Sequence, residues 1–337
     1  MRTRTGSSLL VAGTAVLALT AAATSRMSRA APAQPLTFPT DPIEIIAPAS
    51  PGGGWDTTAR VVQSVLQSQG IVKVPITVVN RPGAGGQVGW SYLNEHRKNP
   101  HFVAMNSNQL FPRQLLGQTT MKFEDFTPLA RLTTEYLVLA VRPDSPYKTG
   151  KDLLAALKKN PAKHAVSVGS GLASSDHMSF LRAARAGGVD IRRVKVVVHA
   201  SGGDQMAAIL GGHVEVVSTG LSEALEQAKA GKLRLIAITA PERVKEAPDV
   251  PTWEEQGIRG TFRHWRGIMA PGGLAPPVVT AWDRMLGDMV RSEAWKKELA
   301  QRGWIDAYVP SAEFTQFLHA ERQEFRVLMR EVGMIKK

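Results

Sequence analysis

The chain contains no cysteine among its 337 residues. This absence excludes disulfide-stapled folds, thiolate zinc sites, iron–sulfur clusters, cysteine nucleophiles and a lipid anchor on an N-terminal cysteine. Outside a short apolar run near the N-terminus, no stretch is long and apolar enough to cross a membrane. Hydrophobic residues make up 43% and charged residues 21% of the chain, which excludes disordered and fibrous proteins. The length predicts two domains or one large domain.

The sequence also lacks the short motifs that mark common enzyme sites. Gly150-Lys151 and Gly231-Lys232 are not followed by the serine or threonine of a phosphate-binding P-loop. Val88 stands where the dinucleotide-binding pattern begun at Gly83 and Gly85 requires a glycine. Neither a G-x-S-x-G elbow nor an H-E-x-x-H motif occurs, and the eight histidines show no ligand spacing. We therefore predict no enzymatic activity, no cofactor and no metal site.

The N-terminus has the pattern of an export signal. Two arginines precede an uncharged run over Leu9–Ala23, which is too short for a comfortable membrane span. Sites with small residues, suited to cleavage, follow at Ala21–Ala23 and Ala31–Ala33. We predict a cleavable signal peptide over residues 1–33 and a periplasmic mature protein without a lipid anchor, the alternative being an uncleaved anchor.

Basic residues outnumber acidic residues by 41 to 29, which gives a formal net charge of +12. Such a balance favours acidic partners: nucleic acid, an anionic surface or small anions. A nucleic-acid binder needs clustered basic residues interleaved with aromatics, whereas here Arg192–Lys195 is a lone short run. We predict no nucleic-acid partner and interpret the charge as a means of concentrating an anionic ligand. A binder of anionic surfaces stays open as an alternative.

Short apolar runs alternate with stretches of helical periodicity along the chain. This alternation predicts an α/β fold with parallel sheets covered by helices on both faces. The predicted strands are Ile43–Ala47, Ile76–Val79, Phe102–Met105, Leu137–Val141, Ala165–Val168, Lys195–Val198, Val214–Ser218 and Leu233–Thr239. The predicted helices are Asp56–Gln69, Gln87–His96, Thr149–Lys159, Ser175–Ala186, Gly203–Leu210, Ser222–Ala230, Pro277–Val290, Ser292–Gln301 and Ser311–Glu331. After Pro276 the pattern predicts only helices.

Five loops rich in glycine and hydroxyl residues follow predicted strands. Ligand sites in open α/β sheets form at the carboxyl ends of strands. Glycine lets the backbone approach a ligand, and N–H groups at a helix start bind anions. The loops are Pro51–Asp56, Pro82–Gln87, Asn106–Asn108, Gly169–Gly171 and Ala200–Gly203. Together they predict a cleft for an anion or a polar small molecule.

From these loops and their neighbours we select the residues expected to contact the ligand. They are Gly53, Gly54, Trp55, Asp56, Gly85, Gly86, Gln87, Ser107, Asn108, Ser170, Gly171, Asp176, His177, Ser201, Gly202, Gly203, Glu223 and Arg266. Several have a structural alternative. Trp55 is suited to a cleft wall or to packing of its loop, and Asp56 and Glu223 are equally suited to capping helices. Arg266, assigned here to a loop, pairs either with an anion or across domains.

An exported hydrolase is the alternative function that the residues leave open. It would use Ser170, Asp176 and His177. The members of a catalytic triad converge from different loops, whereas two of these are adjacent in sequence, and the nucleophile elbow is missing. Helix capping by Asp176 or its neighbour Ser175 is the competing interpretation.

Two long motifs and an ordered set of shorter ones resemble a known family. Pro51–Arg60 and Asn80–Gly86 are similar to the opening of the tripartite tricarboxylate transporter substrate-binding proteins, also called Bug or TctC-type receptors. The shorter matches, in family order, are Thr127–Leu132, Asp144–Lys148, Gly169–Gly171, Asp176-His177, Gly202-Gly203, Gly211-Gly212, Gly231–Arg234, Pro251–Trp253 and Trp265–Gly267. The resemblance covers nearly the whole chain after the leader. It departs at Lys98–Phe102 and His199, which bears on the ligand more than on the fold.

The resemblance implies a two-lobed periplasmic binding protein of the Venus-flytrap type, each lobe a mainly parallel sheet flanked by helices. Residues 34–140 would form the first lobe, 141–261 the second, and 262–337 the return to the first lobe with C-terminal helices. It implies a monomer that holds a citrate-like di- or tricarboxylate, mainly through backbone N–H groups of the two glycine loops of the first lobe. Membrane permease subunits would receive the ligand. The lobes are expected to close on it about hinges near Val141 and Thr261.

Overall fold

The computed structural model describes residues 38–336, so the predicted signal peptide, residues 1–33, and the predicted start at residue 34 lie outside it. The strands are β1 Ile43–Ala47, β2 Ile76–Asn80, β3 Phe102–Ser107, β4 Phe126–Val141, β5 Ala165–Val168, β6 Lys195–Val198, β7 Val216–Gly220, β8 Arg234–Ile238, β9 Arg263–Pro271 and β10 Ile305–Pro310. The helices are α1 Gly54–Ser68, α2 Gln87–Glu95, α3 Pro112–Leu115, α4 Gly150–Lys159, α5 Ser175–Ala186, α6 Gly202–Leu210, α7 Leu221–Lys229, α8 Pro276–Arg291, α9 Glu293–Arg302 and α10 Ser311–Glu331.

The predicted strands and helices are all present, with small shifts at their ends. The prediction of a purely helical segment after Pro276 is wrong, because β10 lies between α9 and α10. β9 was not predicted, and only the last third of the 16-residue strand β4 was. In both β9 and the first part of β4, polar and charged residues interrupt the apolar pattern that signals a buried strand.

The sheet falls into two halves, one for each lobe. In the first lobe, β2, β1 and β3 are parallel neighbours, and β9, β4 and β10 continue the sheet antiparallel. In the second, β7, β5 and β6 are parallel neighbours, and β4 pairs antiparallel with both β7 and β8, so β8 runs in the direction of the parallel strands. Each lobe is thus a mixed sheet with a parallel part, flanked by helices, and the architecture is a two-lobed α/β fold.

Strand β4 belongs to both lobes. Its residues up to Tyr136 pair with β9, and its residues from Leu137 onward pair with β7 and β8. The partners therefore change between two adjacent residues of one continuous strand. The described residues, 38–336, belong to one compact unit, so the lobe boundaries 34–140, 141–261 and 262–337 stay predictions.

The cores explain why the short parallel strands were readable from the sequence. Ile43, Ile45 and Ile46 of β1 are buried on both sides of the sheet, which is why their run is apolar rather than alternating. Val62 and Leu66 of α1 are buried at helical spacing beside this strand. A second apolar cluster packs α6 and α7 against one face of the second lobe's sheet. Across residues 38–336, no helix has both the length and the apolar character of a membrane span.

Candidate ligand-binding site

The facing ends of the two lobes enclose a small cleft with a cavity volume of about 30 Å³. Its lining residues are Ala49, Gly54, Trp55, Ser107, Gln109, Ser170, Ser174, Ser175, Asp176, Gly202, Glu223, His264 and Arg266. His264 and Arg266 lie within β9, and Ser107 is the last residue of β3. The other lining residues follow the carboxyl ends of β1, β3, β5, β6 and β7. This is the place predicted for a ligand in an α/β sheet. The loop after β2, the second glycine loop, contributes no lining residue.

Four helices begin at the cleft: α1, α5, α6 and α7. A helix N-terminus presents unpaired N–H groups and a partial charge of roughly +0.5, so the arrangement suits an anion. Two carboxyl groups of the protein itself already accept hydrogen bonds from backbone N–H groups at the cleft. Gly54 N–H donates to Glu223 Oε1 at 2.6 Å, and Gly169 N–H donates to Asp176 Oδ2 at 3.0 Å.

The first glycine loop presents its backbone to the cleft at Gly54. A side chain there would overlap the guanidinium of Arg266, so only glycine fits. Gly53, one residue earlier, faces Ala49 and Ser201 instead of the cleft.

Trp55 lies at the cleft wall and also packs its loop against the domain. Its ring lines the cleft and also packs against Trp90, with ring centroids 5.6 Å apart and planes at 67°. The side chain is 5% exposed, and its indole Nε1–H has no hydrogen-bond partner among the described residues. The sequence predicted the wall but gave no sign of this free donor.

Asp56 faces away from the cleft and stabilises the loop. Its carboxylate accepts from Gly52 N–H at 2.9 Å and from Asn80 Nδ2 at 2.8 Å, and pairs with Arg60 at 2.9 Å. Burial opposes ionisation, but the hydrogen bonds from Arg60, Gly52 and Asn80 outweigh it and lower the pKa of Asp56. Asp56 therefore stabilises the loop from within α1, and it is not the cap of that helix that the sequence offered, because Gly53 is the N-cap and has no side-chain cap bond.

The second glycine loop lies behind the cleft. Gly85 and Gly86 have φ of 63° and 96°, a region that favours glycine. A Cβ on Gly85 would lie 2.9 Å from Gln109 Nε2, and one on Gly86 would lie 2.8 Å from the ring of Trp90. These glycines permit close packing, and the next residue, Gln87, starts α2 outside the cleft lining.

The loop after β5 joins the two lobes at the cleft. Ser170 adopts φ 59°, unusual for a residue with a side chain, and its carbonyl accepts from Gln109 Nε2 at 2.6 Å. Gly171 follows at φ 96° and lies outside the lining. Gln109 was not predicted, although it directly follows the candidates Ser107 and Asn108. Its Oε1 has no partner.

Asn108 is buried beneath the lining and holds two cleft side chains. Ser175 Oγ donates to Asn108 Oδ1 at 2.7 Å, and His264 Nδ1 lies 3.0 Å from the same oxygen and 2.7 Å from Ser175 Oγ. Whether His264 Nδ1 donates or accepts in these contacts depends on the tautomer of its imidazole ring. Burial, with Arg266 nearby, holds the pKa of His264 well below its usual value. His264 is therefore neutral, with its Nδ1 within hydrogen-bond distance of the Ser175 hydroxyl.

The residues of the alternative hydrolase do not converge. His177 is buried, and its Nδ1 accepts from Ala173 N–H at 3.0 Å. Burial lowers the pKa of His177 to about 4. Ser170 lines the cleft, whereas His177 does not, and Asp176 is bound to Gly169. Ser174, rather than Ser175 or Asp176, caps α5 through His177 N–H.

The loop before α6 brings the lobes into close contact. Ser201 caps α6 by accepting from Asp204 N–H at 3.4 Å. Asp204 also accepts from Ser50 Oγ of the first lobe at 2.9 Å. Gly202 lines the cleft beside Glu223, whereas Gly203 lies against the carbonyl of Pro51, where a Cβ would be 2.5 Å away.

A cluster of charged groups forms the floor of the cleft. Arg266 was assigned to a loop, but it lies in β9, where it forms an ion pair with Glu135 of β4. Both are buried, at 3% and 0% exposure, and both lie in the first lobe's half of the sheet, so this pair is not the salt bridge across domains that the sequence offered as an alternative. Asp176 and Glu223 line the cleft next to this pair. Within residues 38–336, no three His, Asp or Glu side chains have the arrangement of a metal site.

Burial and neighbouring acids act on both carboxyl groups of the lining. Burial, reinforced by Glu223, raises the pKa of Asp176 well above its usual value. Burial also raises the pKa of Glu223, although Arg266 opposes this shift. Two acids that resist ionisation therefore face the cleft together.

The family model of the "Tripartite tricarboxylate transporter family receptor" matches residues 58–334. The chain belongs to this receptor family. The receptor is 27% identical over 310 residues to BugT of Bordetella pertussis, a match covering 90% of this chain and 93% of that protein. The sequence resemblance to the Bug and TctC-type proteins is thereby confirmed.

Solved structures agree with the receptor's fold. One described as a periplasmic transporter has a TM-score of 0.81 and 25% identity, and the match covers 88% of this chain and 98% of that one. MatC of Rhodopseudomonas palustris with bound malate has a TM-score of 0.78 and 22% identity, over 86% and 99% of the two chains. The second likeness shows the fold alone.

In this receptor the cleft gathers fewer than half of the sequence candidates. Those in the lining are Gly54, Trp55, Ser107, Ser170, Asp176, Gly202, Glu223 and Arg266. Those outside it are Gly53, Asp56, Gly85, Gly86, Gln87, Asn108, Gly171, His177, Ser201 and Gly203. The lining residues that the sequence missed are Ala49, Gln109, Ser174, Ser175 and His264. Most of these adjoin predicted candidates, and His264 lies two residues from Arg266.

Proposed function

We propose that the receptor captures a small carboxylate in the cleft between its lobes, in the periplasm, and delivers it to membrane permease subunits of a tripartite tricarboxylate-type transporter. The observation that carries this proposal is the convergence of four helix N-termini from both lobes on one polar cleft. N–H groups and positive dipole ends stabilise carboxylate charge without a cationic side chain. Export by a cleavable signal peptide and a monomeric state belong to the same proposal.

Donors for a carboxylate remain at the cleft although part of its backbone is occupied. Trp55 Nε1–H is unpartnered, and the hydroxyls of Ser107 and Ser170 line the same space. A hydrogen bond to a charged group contributes about 1.5–3 kcal/mol, so two or three such bonds suffice for a specific complex. MatC, which shares the fold, was solved with malate, and this supports a ligand of the same chemistry.

Hydrogen bonds between the lobes indicate that the structure is the closed form. They join Ser50 to Asp204, Gly54 to Glu223, Gln109 to Ser170, and Asn108 to Ser175. Ligand access requires that these bonds break together. Bending is easiest where β4 changes its partners, between Tyr136 and Leu137, and hinge closure of this kind is a common response to ligand.

Thermal melting and titration calorimetry on the mature protein test the function. The panel consists of acetate, succinate, malate and citrate, with succinamide as the uncharged control. A ligand that binds only the folded state at a hundred times its Kd stabilises it by about 2.7 kcal/mol, so at least one carboxylate should raise the melting temperature by several degrees. The ligand should be recovered unchanged. If no carboxylate shifts the melting curve at millimolar concentration, the proposal is wrong.

A further inference from the structure

The strands that form the floor of the cleft bear a second cavity on their other face. Side chains of a strand point alternately to its two faces. In β9, His264 and Arg266 line the cleft, whereas Arg263 and Trp265 line a groove with a cavity volume of about 570 Å³. Strand β4, which continues from one lobe into the other, lies beside β9. The crossover between the lobes therefore separates the cleft from this cavity, which we call the rear groove.

The two walls of the rear groove come from different lobes. One wall is formed by α10, with β10 beside it, and belongs to the first lobe. The opposite wall is formed by α5 of the second lobe and by the segment that leads into β9. A smaller cavity of about 190 Å³ extends the groove between α5 and α10, and Arg182 and Leu328 line both cavities. Any rotation of the lobes therefore changes the width of the groove.

The two walls present opposite charges. Three arginines of the second lobe line the groove and its extension together with three glutamates of α10, and five of these six residues are exposed. They are Arg182, Arg185, Arg259, Glu321, Glu324 and Glu331. Within residues 38–336, none of the six forms an ion pair. The walls thus carry complementary charges that the groove holds apart.

The remaining charged groups of the rear groove lie on the strands between its walls. They are Arg131 of β4, Arg263 of β9 and Asp306 of β10. With them the groove itself has three arginines and three acids, so it offers no excess of charge to an ionic ligand. Glu321 accepts from Trp265 Nε1–H at 3.1 Å, and burial raises its pKa. Glu324 and Glu331, which are exposed, are therefore the acids best able to reach the opposite wall.

Opening of the cleft should narrow the rear groove. The two cavities lie on opposite faces of the crossover strands, so a rotation that separates the lobes on one face brings them together on the other. In the structure the cleft is held shut by bonds such as those of Ser50 to Asp204 and Gln109 to Ser170, and the charges across the groove are unpaired. Once the cleft opens, the long side chains of α5 and α10 come within reach of one another.

We propose that Arg182 and Arg185 form ion pairs with Glu324 and Glu331 when the cleft opens, and that this latch stabilises the open, ligand-free form. The inference rests on the hinge motion of the proposed function and holds for any ligand of the cleft. Each exposed ion pair contributes little by itself, but pairs that form in the same state shift the equilibrium together. Closure on a ligand must break the latch, which lowers the apparent affinity in proportion to the closed fraction of the free protein.

Pulsed electron paramagnetic resonance on the ligand-free mature protein tests the latch. Because the chain contains no cysteine, spin labels attach only at introduced positions, and Gln67→Cys and Ala207→Cys place them on exposed sites of α1 and α6. These helices begin at the cleft in different lobes, so the distance between the labels increases when the cleft opens. At low salt the wild-type charges should give mainly the longer distance.

Reversing the charge of the basic wall should shift the lobes towards closure. Arg182→Glu with Arg185→Glu turns attraction into repulsion, so the ratio of closed to open protein, and the affinity for any carboxylate that binds, should rise about fivefold. Adding Glu324→Arg with Glu331→Arg exchanges the charges of the two walls and should restore the wild-type distances. Raising the salt concentration to about 1 M should shift wild type in the same direction as the reversal, because exposed charges are then screened.

A second pair of reversals is the matched control. Arg193→Glu with Lys195→Glu changes the net charge equally, and both residues are exposed on the second lobe but lie outside the two cavities. This variant should leave the distances unchanged. Melting curves confirm that every variant is folded.

The outcomes separate the latch from the proposed function. If acetate, succinate, malate or citrate shortens the distance but reversal of the basic wall does not, the latch is overturned while the function stands. The latch is also overturned if exchanging the charges fails to restore the wild-type distances, or if the control shifts them as much. If the reversal shortens the distance but no carboxylate does, the latch stands and the proposed ligand class fails. A distance that no variant and no ligand changes overturns the hinge motion, and the latch with it.

Discussion

The two glycine loops of the first lobe have similar sequences but different surroundings. At Gly54 the first loop opens to the cleft, and its N–H is held by Glu223 of the other lobe. At Gly85 and Gly86 the second loop packs behind Gln109 and Trp90, outside the cleft lining. Both loops need glycine, one for the approach of Arg266 and the other for positive φ and tight packing. Whether a loop glycine lies at the ligand cleft or permits close packing therefore depends on which side chains the fold brings next to it.

Gly54→Val should have the largest effect. The new side chain would overlap the guanidinium of Arg266 and disturb its buried pair with Glu135. Breaking a buried pair costs about 3–5 kcal/mol, so the variant should melt well below wild type and lose detectable ligand binding. Gly52→Ala is the control in the same loop: nothing lies within 4 Å of its Cβ, and only the cost of positive φ, about 1 kcal/mol, is expected.

Gly85→Val should destabilise the protein by about 2–3 kcal/mol, through its φ of 63° and the approach of its side chain to Gln109 and the Ser170 carbonyl. Binding should weaken about tenfold, because Gln109 moves rather than because a backbone contact is lost. Calorimetry and melting on the same sample separate the two effects. If the variant melts like wild type but no longer binds, the second loop contacts the ligand. The proposed distinction, that only the first loop faces the cleft, would then be wrong.

Trp55→Phe should weaken binding about tenfold and also lower the melting temperature. It removes an N–H donor, worth about 1.5 kcal/mol or more to a charged acceptor, and part of a buried ring, which leaves a cavity. Trp295→Phe is the matched control, because Trp295 Nε1 also lacks a partner but the residue lies in α9, outside the cleft. Equal affinities for the two variants would mean that Trp55 acts through packing alone.

The smallest expected effect is the pH dependence of stability that arises from Glu223, the residue that binds Gly54 N–H of the first loop. Burial, with Glu135 nearby, raises the pKa of Glu223 despite Arg266. The folded state therefore holds this proton more tightly than the unfolded state, and the contribution to stability falls as pH rises above the ordinary carboxyl range, about 4.5. In chemical denaturation between pH 4 and 8, wild type should lose stability relative to Glu223→Gln as pH rises. A difference independent of pH would show that Glu223 keeps an ordinary pKa.

The sequence predicted the parts of the fold whose signal is local. β1 and β5 appear as unbroken apolar runs because both faces of a parallel strand are buried, and the loops after them are readable from glycine and hydroxyl residues. β9 escaped because Arg263, His264 and Arg266 interrupt its pattern. Arg266 is tolerated inside only because Glu135 stands opposite on β4, and that pairing has no signature in a single sequence.

The candidate site shows the same limit at the level of side chains. Four of the five selected loops reach the cleft lining and Pro82–Gln87 does not, and the sequence did not show which residues of the four face inward. Gln109 enters the lining because it reaches the Ser170 carbonyl across the lobes, and Asn108 leaves it because Ser175 and His264 hold it below the surface. Such contacts depend on how the lobes meet rather than on any segment alone.

The order of strands also has a consequence for synthesis and export. The second lobe builds its sheet from β4 to β8, a continuous stretch of chain, whereas the first lobe joins β1, β2 and β3 to β9 and reaches β10 through β4. The N-terminal strands must therefore wait until the last quarter of the chain has emerged before their sheet is complete. Pairing over such separations is slow because long loops must close first. During that interval β3 has an uncovered edge, a target for chaperones and for aggregation.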